Sequence, residues 1–134
     1  MFAAMLLAIS TVALLQFAIY YWRAILAGVA AQPVSARVLE SAGVEGGRLS
    51  ARDFAVLAEL HDLTADLDPS AAGLGFVRAY YQIVRAGGAL LGRHFPELAA
   101  WSDRERTTCA RYAAVQIDRR LQANMALAAS LRSC

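Results

Sequence analysis

Hydrophobic and polar positions divide the chain into two unequal parts. From Phe2 to Trp22 there are 21 residues without a charge, and only Ser10, Thr11 and Gln16 are polar. As a helix rising ~1.5 Å per residue the run is about 31 Å long, which matches a hydrocarbon core of ~30 Å. It predicts one transmembrane helix. A cleaved signal peptide would want a basic stretch ahead of a shorter apolar core. Met1 to Ala8 carries no basic residue, although Val29-Ala30-Ala31 resembles a cleavage site. The span is therefore expected to be retained.

Beyond Trp22 the polar positions return. Ala24 to Ala31 can extend the helix past the bilayer, and Pro33 stops it, because the residue before a proline is biased away from the α region. Val34 to Glu40 reads as a short helix and 41–47 as a glycine-rich hinge. Residues 1–31 are thus the span and its extension, 32–48 a linker, and 49–134 a helical domain. The predicted fold class is all-α: one N-terminal transmembrane helix, then a small cytoplasmic helical hairpin or three-helix bundle.

The domain reads as three helices. The first covers about Ala51 to Leu67. Ser50 is its N-cap, Asp53 reaches back as in a capping box, and Leu49 and Phe54 are spaced as a hydrophobic staple. Leu57, Leu60, Leu63 and Leu67 form its core face. The second opens at Asp68-Pro69, a cap followed by proline at the first helical position. It runs to about Gly92. Leu74, Val77, Tyr80, Tyr81, Val84 and Leu91 form one apolar face. Phe76, Ile83 and Leu90 form another, so cover is expected on both sides. The third opens with Ser102-x-x-Glu105 as a capping box. Ala110, Ala113, Ala114, Ile117, Leu121, Met125, Ala128 and Leu131 then hold an arc of about 120° at 100° per residue. Pro96 to Trp101 reads as a separate short turn.

The ends and faces of the span carry more information. Tyr20, Tyr21 and Trp22 form an aromatic belt, and Arg23 can snorkel to the phosphates. Arg37, Arg48 and Arg52 follow, while the N-terminal flank has no basic side chain. The positive-inside rule then puts the N-terminus outside and the C-terminal part in the cytoplasm. Ala4, Ala8, Thr11 and Ala18 share a face with Leu15 and Trp22, and small residues there let a partner helix approach closely. Gln16 lies on another face, and an amide in a membrane seeks a partner on another helix. An alanine-rich helix also makes such a stripe by composition alone.

Net charge is +2, too small for a nucleic-acid footprint, and no basic block occurs. All 13 basic residues are arginine, as a GC-rich genome favours, and the absence of lysine excludes P-loop and Schiff-base chemistry. His61 sits among Glu59, Asp62 and Asp66, but a metal needs three or four converging ligands, so a solvated acidic face is the reading. His94 reads as a cap on carbonyls at a helix end. Cys109 and Cys134 lie 25 residues apart on one rod, about 37 Å, which excludes a bridge between them. Tyr112, Val115 and Arg119 stand on the polar side of the third helix, an arrangement typical of contact surfaces.

No catalytic signature and no cofactor motif emerges. The expected function is that of a non-catalytic accessory or assembly subunit of a larger complex in a bacterial inner membrane. It would dock through its span and its cytoplasmic helices. The alternative is a membrane-anchored adaptor, homo-oligomeric or regulatory, that recruits a soluble partner. A third reading, an enzyme or cofactor subunit built on His61 or His94, has the least support.

Overall fold

A computed structural model describes residues 2–43, 49–64 and 74–133. The 44–47 part of the hinge, Arg48, Asp66, Leu67, the Asp68-Pro69 cap and Cys134 lie outside the described residues. Five helices follow in order: α1 Phe2–Ala30, α2 Ala36–Ser41, α3 Phe54–Leu63, α4 Gly75–Leu91 and α5 Pro96–Arg132. The described residues are all-helical, without a strand.

α1 ends at Ala30, ahead of Pro33. Its first twenty positions are exposed, and it is the one described helix both long and apolar enough to cross a membrane. Its last two turns differ. Leu26 and Ala30 are buried, and Trp22 and Val29 pack against the same core. The C-terminal end of α1 is thus part of the helical body, not a spacer between two units.

α5 is the axis of that body. The other helices each pack against it. The reason is its composition between Cys109 and Ile117: Ala110, Ala113 and Ala114 are small and fully enclosed, so neighbouring backbones come close on several sides at once. Leu57 from α3, Val77 from α4, Leu26 from α1 and Val38 from α2 meet around this stretch. Each is a buried apolar side chain of the kind that contributes about 1.5–3 kcal/mol.

α3 begins at Phe54, not Ala51, with Asp53 rather than Ser50 at the N-cap position and no side-chain cap bond; the predicted Ser50–Asp53 pairing forms in the turn ahead of the helix. The Ser50 backbone N–H donates to Asp53 Oδ2 at 2.7 Å, and the Arg52 N–H donates to Ser50 Oγ at 3.2 Å. Phe54 is buried and stacks on Tyr81 at 4.2 Å between centroids, while the Tyr81 hydroxyl donates to the Ala51 carbonyl. Leu63, expected in the core, is exposed at the helix end.

Helix α5 begins earlier than the capping signal implied. Pro96 occupies its first turn, where a missing N–H costs nothing, and the helix runs straight through Ser102. Ser102 is therefore no cap. Its hydroxyl donates to the Val84 carbonyl at 2.9 Å across the α4–α5 contact. Gly88 allows that contact, since a Cβ there would meet Ser102 Cβ at 2.7 Å. Glu105 is likewise free of capping duty and is used elsewhere.

Two predicted apolar faces are only partly covered. On α4, Val77, Tyr81 and Val84 are buried, but Phe76, Ile83 and Leu90 are exposed, as is Leu91. On α5, Ala110 to Ile117 is enclosed and Leu121 half-buried, whereas Met125, Ala128 and Leu131 stand clear. A 37-residue helix is about 55 Å long, and the shorter helices around it cannot cover its whole length.

Candidate functional site

The junction between α1 and the body is where the polar groups converge. Arg23 Nη2 donates to Glu105 Oε1 at 2.5 Å, and the Tyr80 hydroxyl donates to Glu105 Oε2 at 3.0 Å. The Glu105 side chain is 10% exposed, against 45% for Arg23. The guanidinium also lies 5.8 Å from the Trp101 ring centroid, within cation–π range. A buried carboxylate needs such donors, because desolvation without a partner costs several kcal/mol. Burial, and then the hydrogen bond to Glu105, raise the Tyr80 hydroxyl far above the usual phenol range. Tyr80 is thus a fixed donor across the physiological range. The cluster ties α1, α4 and α5 together; its chemistry is that of a clamp.

Trp22 and Arg23 therefore do not sit as expected. Trp22 is half-buried, edge-on to Phe76 at 4.2 Å, and Arg23 is bound to protein rather than free to snorkel. The cause is long-range: Glu105 lies 82 residues away in sequence, so no local pattern reports it. Tyr20 and Tyr21 remain exposed.

The α1 residues Ala4, Ala8, Thr11, Gln16 and Ala18 are all exposed. The Thr11 hydroxyl donates to the Leu7 carbonyl at 2.7 Å, so it is satisfied within its own helix. The structure brings none of the five against another described helix.

The proposed contact triad on α5 is overturned in part. Tyr112 is 5% exposed and Val115 2%, so both are enclosed by the chain's own helices. α5 has neighbours on several sides, which a single polar-versus-apolar wheel does not anticipate. Arg119 is exposed, and its Nη2 donates to Gln32 Oε1 at 2.7 Å.

His61 is the second correction. It is 6% exposed rather than on a solvated face, and its Nδ1 has no hydrogen-bond partner. Asp62 Oδ1, at 3.6 Å, is too distant for one. Asp62 instead accepts from Arg78 at 2.7 Å, and Arg78 lowers its pKa. Burial, then the Arg120 charge, lower the His61 pKa below 6.5; Asp62 opposes this and Arg78 adds to it. A histidine lowered in the folded state takes up its proton more readily when unfolded. Its contribution to stability is thus complete above pH 6.5 and is lost as pH falls from there through the folded pKa. The melting temperature is expected to drop between pH 7 and pH 5, and His61→Leu should flatten that slope. Identical slopes in both proteins would assign the drop to other groups.

Cys109 is fully buried in the middle of α5. Burial, and then the Glu105 charge, push its thiol up to about 12, which leaves it protonated and a poor nucleophile. Among the described residues, no three His, Cys, Asp or Glu side chains group around a metal position. His94 is exposed just past α4.

Comparison of the chain with family models, curated proteins and solved structures finds no match.

Proposed function

We propose that this protein is a non-catalytic, single-pass accessory or assembly subunit of a larger complex in a bacterial inner membrane, with its N-terminus outside and its helical body in the cytoplasm. One observation carries the reading. Positions 2–21 of α1 are bare, while the same helix is clamped into the body from Trp22 onward. A span held this firmly at one end presents a fixed orientation to whatever packs on it. The small-residue face at Ala4, Ala8, Thr11 and Ala18 suits close helix approach, and the Gln16 amide calls for a donor or acceptor from another chain.

The test is Ala8→Leu combined with Thr11→Leu. Both changes raise hydrophobicity, so membrane insertion is expected to survive. The added volume separates backbones, so recovery of the complex in mild detergent is expected to fall to background. Insertion with wild-type recovery would overturn docking through this face.

The adaptor reading draws on a different observation. The apolar arc of α5 runs on uncovered through Met125, Ala128 and Leu131. Its spacing fits a helix-in-groove or helix-pairing contact with a soluble partner or a second copy of the chain.

A further inference from the structure

Helix directions fix which end of the body meets the bilayer. Arg23 of α1 pairs with Glu105 of α5, and Gln32 pairs with Arg119, so both numbers rise together and the helices run the same way. α4 runs the opposite way along α5. Tyr80 meets Glu105, the Val84 carbonyl meets Ser102, and Gly92 lies against Ala99. The turn from Leu91 to Pro96 therefore lies on the same side of Arg23 as the uncharged run of α1. From Glu105 back to Pro96, α5 is about 13 Å long, and it splays away from α1, whose positions before Trp22 stay exposed.

This end carries the uncovered face of α4. Its stripe starts at Phe76, which contacts Trp22 at the last position of the uncharged run. It continues through Ile83 at 70% exposure and Leu90 at 75% to Leu91 and Phe95 in the turn. Arg93, exposed in the same turn, makes no hydrogen bond or ion pair among the described residues. The α1 positions before Trp22 are exposed, so the hairpin leaves α1 at the height of that residue.

We propose that the α4–α5 hairpin is a second membrane contact, lying in the headgroup layer with Ile83, Leu90 and Phe95 turned to the lipid and Arg93 at the phosphates. The occupant is the bilayer surface of anionic phospholipid. Apolar side chains beside an arginine are the composition that holds an interfacial helix in place. The inference rests on the proposed membrane insertion of α1. The hairpin would fix the tilt of the body against the membrane and so determine how it is presented to a partner.

The experiment uses the full chain with Cys134→Ser, reconstituted in vesicles of phosphatidylcholine and phosphatidylglycerol. Cysteines introduced one at a time at Val12→Cys, Leu90→Cys and Leu127→Cys carry an environment-sensitive fluorophore, while Cys109 is enclosed and out of reach of the label. All three sites are exposed, so the labels leave the core intact. Spin-labelled lipids should quench most emission from positions 12 and 90 and little from 127. Aqueous iodide should show the reverse order. If position 12 responds to lipid quenchers but position 90 responds to iodide as fully as 127, the hairpin contact is overturned while the span stands. If position 90 is shielded from both quenchers, protein covers the stripe and the lipid assignment is overturned. If position 12 itself is open to iodide, the membrane reading falls, and the hairpin proposal with it.

Discussion

Replacing Ile117 by aspartate is expected to unfold the helical body. Ile117 is completely enclosed at the centre of α5, where the other helices meet. The substitution removes apolar burial and places a carboxylate in a fully enclosed position of the apolar core. Losing the side chain's packing costs about 2–5 kcal/mol, and an unpaired buried charge adds several more. A domain of this size has only about 5–15 kcal/mol in all. Helical circular dichroism in mild detergent should therefore lose its cooperative melt. Leu121→Asp, at the edge of the core, should cost less, and Leu131→Asp, in the exposed end of α5, should leave the melt unchanged. A wild-type melt for Ile117→Asp would show that the core lies elsewhere.

Arg23→Leu is expected to loosen α1 from the body. Glu105 would keep only the Tyr80 hydroxyl as donor, in a side chain that is nine-tenths buried. Removing one partner of a fully buried pair costs about 3–5 kcal/mol; here Arg23 is partly exposed and water can reach the gap, so about 2 kcal/mol is the expected loss. The readout is a lower melting temperature together with new protease cleavage between α1 and α2. The double variant Arg23→Leu with Glu105→Leu should recover much of the loss, because no charge is then stranded. If the single and double variants melt alike, the pair contributes through packing rather than through charge.

The two experiments address different layers of the same design. Ile117 tests whether α5 is the axis, and Arg23 tests whether the apolar helix is part of the body. Both bear on the docking proposal, since a loosely attached span would not hold one face toward a partner.

Much of the local structure was written in the chain itself. The uncharged run Phe2–Trp22 identifies α1, Pro33 ends it, and the Ser50–Asp53 pair forms as predicted, though in the turn before α3 rather than as its cap. These are local signals: hydropathy, a fixed backbone angle, and a side chain that reaches three residues. The buried half of the α5 arc is also legible, because Ala110, Ala113, Ala114 and Ile117 recur at helical spacing.

Tertiary structure alone decided the rest. Periodicity reports which positions share a face, and says nothing of whether a neighbour is long enough to cover it; hence Met125, Leu131, Ile83 and Leu90 are exposed on faces that look like core. A wheel divides a helix into an inside and an outside. α5 has neighbours on several sides, so Tyr112 and Val115 are buried on what reads as its outer face. Ser102 and Glu105 match a capping box, but a helix that begins at Pro96 gives both residues other partners across the fold. His61 is buried for the same reason: its surroundings come from helices distant in sequence, not from the acidic residues beside it. Local sequence sets what a residue prefers, and only the assembled helices determine what it meets.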